Sequence, residues 1–411
     1  MPVLTCSRPS IAGIAVAMLL VVAASATGAA PPDPALLGAA NAAQPAVIAS
    51  LKDMVLIESG STDAVGLAKI AGYVEARLQA LGARTERIAP ARGPGSMVKG
   101  SFSGTGTRKI MLIAHMDTVY PAGTLASEPY RQDGNKLYGP GIADDKGGIA
   151  VILHSLAILT DAGWRDYAQL TVLFNHDEEV GSTTSGETIA QLAEQHDYVF
   201  SAEPTGAKAV ARTEGLLLGA AGTATAILEV KGRASHAGAA PDAGRNALIE
   251  LAYQLQQTRD IARDIPGAQL NWTMGQAGVV SNQIPERASA RADVRLTAPG
   301  AADRLRAALQ DKVKAGRLVA DTETTVTLQV GRPPYLANDR ARALAAQAQA
   351  IYAELDGRQL TLHPMTGGAT DAGFASRSGK AVVLEALGLA GSGYHARDEY
   401  IEMIRSRRAC T

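Results

Sequence analysis

Five short stretches of the chain concentrate acids and histidines: "AHMDTV", "GPGIADDKGG", "NHDEEVGS", "SAEP" and "GYHARDE". Between them they carry His115, Asp117, Asp144, Glu178, Glu179, Glu203 and His395. Carboxylates and imidazoles gathered in such numbers repel one another unless something positive lies among them. Two divalent cations reverse that balance. Imidazole nitrogen with carboxylate oxygen suits zinc, and two ions ~3.5–4 Å apart can share a carboxylate and a hydroxide. Singly, each stretch has a plainer meaning. Adjacent glutamates are usually a solvated loop, and a histidine two residues before an aspartate is usually a surface pair. Asp144 and Asp145 could cap the helix that follows Gly147 and Gly148, and for Asp145 the capping reading stands level. The stretches together, in this order, favour a metal centre.

Such a centre needs elements that converge. Three of the stretches directly follow apolar strands: "RKIMLIAHMD", ending at His115; "QLTVLF", Leu170 to Phe174; and "DYVFSAEP", ending at Glu203. Neighbouring strand residues point to opposite faces. Glu178 and Glu179 therefore cannot continue the strand without burying a charge in a packed layer; the strand must end before them. In open α/β sheets, ligands bind just beyond the carboxyl ends of the strands, which places these acids at one edge. Helical spacing fits Ala46 to Ile57, Leu67 to Leu81, and Ile149 to Leu159 closing near Gly163. Strands alternating with helices imply an α/β domain whose sheet is mostly parallel and flanked by helices.

From about Ala220 the order changes. "TATAILEV" reads as a strand, "GRNALIELAYQLQQ" as a helix, "NWTMGQAGVV" and "RASARADVRL" as strands, "AADRLRAALQDKVKA" as a helix and "TTVTLQV" as a last strand. That βαββαβ order is ferredoxin-like. Helical spacing and the strand "AVVLEALG" resume beyond "GRPPY". The expected organisation is residues 31–219 and 331–411 in one α/β domain, with 220–330 inserted as a small domain.

Among 411 residues, 46% are hydrophobic and 4% aromatic, so large cores must be built from Ala, Val, Leu and Ile. The formal net charge is -1 and no basic block occurs, which argues against a nucleic-acid partner. Near the start, Arg8 precedes an apolar run from Ile11 to Ala23 and small residues before Pro31. That is the order of an export signal over residues 1–30, and the run is short of the ~20 residues a membrane anchor needs. The mature chain is expected outside the cytoplasm, periplasmic or secreted and free of the membrane. It would keep one thiol, Cys410, and rely on core size rather than a disulfide. His154, His176, His196 and His363 read as structural, packing or solvent residues.

The acidic stretches, together with "YGPGIADDKGG", "ASHAGAAP", "VSNQIP" and "ADVR", resemble the co-catalytic di-zinc exopeptidases and deacylases. That family includes aminoacylases and acetylornithine deacetylase. Within it the chain is most similar to the bacterial glutamate carboxypeptidases of the G type, from about Gln44 to Tyr400. The resemblance implies two Zn2+ per subunit, Glu179 with His115 on one ion, Glu203 with His395 on the other, and Asp144 bridging. It implies Asp117 as the acceptor that fixes the His115 ring, Glu178 as the unligated general base, and a cis peptide at Asp144–Asp145. It also makes the inserted domain a lid and dimerisation domain, whose His236 reaches the active site of the other subunit in a homodimer. Asn282, Arg295 and Arg332 would hold the substrate's terminal carboxylate, a task suited to the arginine fork.

Two departures stand out. "GAKAVARTEG", Gly206 to Gly215, does not align with the family's segment that carries a substrate-binding lysine, so neither Lys208 nor Arg212 is assigned. The chain also stops after "IEMIRSRRACT", where the family continues with an amphipathic helix. Ala369, in "GGATDAGF", replaces a glycine. The expected activity is hydrolysis of the amide bond to a C-terminal glutamate, folate-like N-acyl glutamates included, on a small-molecule or peptide substrate with a free carboxylate. The alternatives are an aminoacylase or dipeptidase with another amino-acid preference, and a non-hydrolytic binding protein on the same scaffold.

Overall fold

The computed structural model describes residues 9–10, 33–205, 215–356 and 359–405. Apart from Pro9 and Ser10, the expected export signal lies outside them, as do Lys208, Arg212 and the chain beyond residue 405. In chain order the main elements are α1 (Gln44–Val55), α2 (Ala64–Ala80), β1 (Arg84–Ile88), β2 (Met97–Ser103), β3 (Lys109–His115), α3 (Lys146–Asp161), β4 (Gln169–Asn175), α4 (Gly186–Ala193) and β5 (Tyr198–Ser201). Then come β6 (Gly222–Lys231), α5 (Ala247–Thr258), β7 (Ala268–Ala277), β8 (Arg287–Leu296), α6 (Ala301–Ala315) and β9 (Glu323–Val330). The described main elements end with α7 (Asp339–Asp356) and β10 (Val382–Leu384).

Two compact units result. Ala220–Tyr335 with Gly367–Ala369 form one, and the remainder forms the other. The larger unit holds a six-stranded sheet in the order β10-β5-β3-β4-β2-β1. Its first four strands are mutually parallel, with Leu112 of β3 between Val172 of β4 and Phe200 of β5. β2 and β1 complete the sheet as antiparallel strands. Ile110–Ala114 and Leu170–Phe174 are buried without a break. Continuous apolar strands of this kind are what helices on both faces of a parallel sheet require. Because β3, β4, β5 and β10 run the same way, His115, Asn175 and Ser201 finish at one edge, and the loops beyond them share that edge.

The smaller unit is built in the order β6-α5-β7-β8-α6-β9, and its antiparallel sheet runs β7-β8-β6-β9. In β8, Ala288, Ala290, Ala292, Val294 and Leu296 are buried and their neighbours are not. Small residues on that face let Leu305, Leu309 and Val313 of α6 and Leu251 of α5 close a core of alanine and aliphatic side chains. Asn246 caps α5 by accepting from the Leu248 and Ile249 amides.

Candidate metal centre

His115 closes β3 and is 1% exposed. Its Nδ1 lies 3.0 Å from the Asp117 carbonyl oxygen, to which it can only donate. Its Nε2 lies 2.9 Å from Asp144 Oδ1 and 3.9 Å from Glu203 Oε1. On the other side of Asp144, His395 Nε2 is 3.5 Å from Oδ2 and 3.1 Å from Glu179 Oε2. Asp144 thus stands between two imidazoles, each with a further glutamate. Glu203 lies beside His115 and Glu179 beside His395, while Glu179 is also within ligand reach of His115, the pairing expected above. The sheet supplies the reason for the closeness of Glu203 to His115. β5, which leads to Glu203, is hydrogen-bonded directly to β3, which ends at His115.

The donor chemistry fits divalent cations. With Nδ1 donating to a carbonyl, a neutral His115 would point its Nε2 lone pair at a carboxylate oxygen 2.9 Å away. Two acceptors at that distance need a proton or a cation between them. Without a cation the proton must serve: burial alone would lower the His115 pKa, but the charges of Glu203, Asp117 and Asp144 override it and hold it well above the ordinary range. Glu203 is pushed well above the usual carboxylate range by burial and by the charge of Glu178. His395 is raised to about 10 by hydrogen bonds to Asp144 and Glu179. Two ligand triads fall within metal-binding reach, His115 with Asp144 and Glu179, and His115 with Glu178 and Glu203.

The acid loop after β4 divides its three carboxylates by task. Asp177 turns back into the fold, taking the Thr184 amide at 2.7 Å, the Thr184 hydroxyl at 2.8 Å and the Ser185 hydroxyl. Glu178 and Glu179 are left to face the cluster. Their amides donate to Asp117 Oδ1 and Oδ2 at 3.0 and 3.1 Å, and Ser61 donates to Oδ2 at 2.8 Å. Asp117, fully buried, therefore braces the loop that carries both glutamates while its Oδ1 lies 3.4 Å from the His115 ring. Asp145 caps α3 through the Gly148 amide at 3.2 Å, and its second oxygen takes the His115 amide at 3.2 Å. The peptide between Asp144 and Asp145 is cis. Sequence reading did not separate Asp177 from its neighbours; the signal was the run of Ser and Thr, Ser182–Ser185, that follows it.

In the smaller unit, His236 and Asn282 are neighbours on a short ribbon, Ser235–His236 against Gln283–Ile284, and the Ala237 amide donates to the Asn282 carbonyl at 2.8 Å. His236 is exposed, and its Nδ1 accepts from the Gly238 and Ala239 amides at 3.2 and 3.0 Å. An Nδ1 that accepts leaves the ring proton on Nε2. Arg295 of β8 is half-buried and bonded to Asp293 Oδ2 at 3.0 Å. Arg332 is buried, with Nη1 donating to the Ala369 carbonyl at 2.6 Å. Among the remaining histidines, His154 bonds Ser50 on α1 at 2.9 Å, and His196 bridges the Leu192 carbonyl and Thr171. Both are internal struts.

Residues 111–410 match the model of peptidase family M20/M25/M40. The chain is 43% identical to Carboxypeptidase G2 of Pseudomonas sp. strain RS-16, over 96% of this chain and 95% of that protein. It is 29% identical to acetylornithine deacetylase of Myxococcus xanthus, over 59% of this chain and 64% of the other. Among solved structures, an M20 family metallo-carboxypeptidase from Sulfolobus solfataricus superposes with a TM-score of 0.69 at 17% identity, covering 87% of this chain and 95% of that one. A match across most of the chain, on a sheet edge whose donors suit cations, has one reading: the chain belongs to peptidase family M20/M25/M40.

Proposed function

We propose that the chain is a zinc-dependent carboxypeptidase that hydrolyses the amide bond to a C-terminal glutamate, folate-like N-acyl glutamates included. The observation that carries this reading is Asp144 standing between His115 and His395, in a chain so similar along its length to Carboxypeptidase G2. His115 and Glu203 would hold one Zn2+, His395 and Glu179 the second, and Asp144 both. Zinc, when bound, supplies Lewis acidity and makes a water able to lose its proton near pH ~7.

The remaining chemistry belongs to the chain. Glu178 takes the proton of the attacking water and returns it to the leaving nitrogen. Asp117 aims that carboxylate by holding its amide. His236, with its ring proton on Nε2, is suited to donate to the oxygen on which negative charge develops. It does so in the site of the second subunit of a homodimer. Asn282, Arg295 and Arg332 form the carboxylate end of the site. The enzyme works outside the cytoplasm after its leader is removed; among the described residues no helix is long and apolar enough to cross a membrane.

The test is a panel of N-acyl amino acids assayed with and without a zinc chelator. Hydrolysis of N-acyl-glutamate well above N-acyl-alanine, lost in chelator and restored by zinc, supports the reading. Equal rates across the panel would replace it with a general aminoacylase. Zinc-independent hydrolysis would remove the metal mechanism.

A further inference from the structure

Asp144 owes its place between the two imidazoles to a loop, residues 139–144, that belongs to none of the sheets or helices. What fixes that loop is Glu399. This side chain is 3% exposed. Its Oε2 accepts from the Gly141 amide at 2.9 Å, and its Oε1 from the Ala143 and Asp144 amides at 2.8 and 3.0 Å. The Glu399 carbonyl takes the Gly139 amide at 3.2 Å. Tyr120 donates one hydroxyl hydrogen that is shared between Glu399 Oε2, at 2.8 Å, and the Ala396 carbonyl, at 2.7 Å. The buried Lys146 ammonium donates to the Pro140 carbonyl at 3.2 Å and the Ile57 carbonyl at 3.1 Å. A carboxylate grips the loop's amides while an ammonium grips its carbonyl. Glu399 also lies four residues after His395 in the same segment, so one side chain ties both loops that meet at Asp144.

We infer that Glu399 is the positioning residue of the centre: it sets the carboxylate of Asp144 at the midpoint between His115 and His395, with Lys146 as its counterweight. The inference rests on the metal reading above for its consequence, though not for its geometry. The amide of Glu399→Gln keeps the shape but cannot keep the bonds. Whichever way it turns, its NH2 faces backbone donors, either the Ala143 and Asp144 amides or the Gly141 amide. Partners that orient metal ligands are worth roughly 10–100-fold in metal affinity or activity.

The experiment has two arms. In the first, zinc affinity of wild type and Glu399→Gln is measured by chelator competition, and kcat and KM on an N-acyl-glutamate are taken at saturating zinc. The expected result is a zinc Kd raised about 10–100-fold and a kcat lowered about as much, with KM within a factor of about two. A folding defect alone would lower the active fraction without moving the zinc Kd of the folded part. Wild-type affinity and kcat in the variant overturn the inference. In the second arm, hydrogen exchange of the Gly141, Ala143 and Asp144 amides is followed in the wild-type protein, with zinc and after chelation. Slow exchange in both states is expected, and exchange as fast as an open loop overturns the inference even if the variant does not fold. Should the wild-type protein neither bind zinc nor hydrolyse the substrate, the metal reading fails, and slow exchange of the three amides still upholds the clamp.

Discussion

Glu178→Gln separates two roles that the geometry leaves open to one carboxylate. Glu178 is 7% exposed and falls within ligand reach of both His115 and Glu203. It is also one residue from Glu179, whose carboxylate lies 3.1 Å from His395. As the base, Glu178 must lose its proton affinity on becoming an amide, while the loop stays put, since its backbone is held through Asp117 at 3.0 Å. Positioned general bases contribute roughly 10²–10⁴-fold, which is about 2.7–5.4 kcal/mol of barrier at 1.36 kcal/mol per tenfold. The fall should sit in kcat if, as proposed, the carboxylate end of the substrate is held elsewhere. Removing the Glu178 charge also relieves the repulsion that raises Glu203, so zinc content should remain at the wild-type level. The assay is kcat and KM on an N-acyl-glutamate beside metal analysis of the purified variant. A kcat within about threefold of wild type would falsify the assignment of the base, and loss of one zinc per subunit would make Glu178 a ligand instead.

Asp117→Asn replaces one oxygen that accepts a loop amide by an NH2 that cannot, so kcat should fall about 10–100-fold with the protein folded; unchanged kcat would show that the brace is dispensable. Arg295→Gln removes a charged donor worth about 1.5–3 kcal/mol to a carboxylate, so KM for N-acyl-glutamate should rise about 10–100-fold, and a KM within twofold of wild type would place the carboxylate elsewhere. For His154, burial and the charge of Arg77 lower the pKa from 6.5 to about 4. The folded state therefore resists a proton that the unfolded state accepts, and stability falls as pH drops from 6.5 towards 4. His154→Gln should lose that component, so the gap in urea stability between wild type and variant should narrow from pH 7.5 to 4.5; a constant gap would show that His154 does not titrate against the fold.

The apolar runs of β3 and β4 were legible because a parallel sheet buried on both faces leaves no alternation to misread. The alternation of Ala288, Ala290, Ala292 and Val294 marked β8 for the opposite reason: one face of that sheet is packed and the other is not. The three acidic stretches that follow β3, β4 and β5 could be assigned to one sheet edge because strands running the same way must end on the same side. The closeness of Glu203 to His115 was not legible. It depends on which strands are hydrogen-bonded neighbours, and β5 lies beside β3 although α3, β4 and α4 intervene in the chain. Chain order places Glu179 nearer His115, whereas sheet order brings Glu203 to it.

The supporting residues were hidden more deeply, and for a physical reason. A ligand shows itself by its type, since few side chains bind a divalent cation. A residue that orients a ligand needs only to accept backbone hydrogens, which any buried Asp or Glu can do. Asp117, Asp145 and Asp177 all do this, and each looks in the sequence like another candidate ligand. The distinction lies in where the amides are. Asp117 faces those of Glu178 and Glu179, Asp145 those of His115 and Gly148, and Asp177 that of Thr184. Each acid that is satisfied by amides is one fewer that needs a cation. The acids gathered around the two imidazoles, Asp144 between His115 and His395 with Glu179 and Glu203 beside them, are the ones a cation would serve, and it is this group, rather than the total count of carboxylates, that calls for metal.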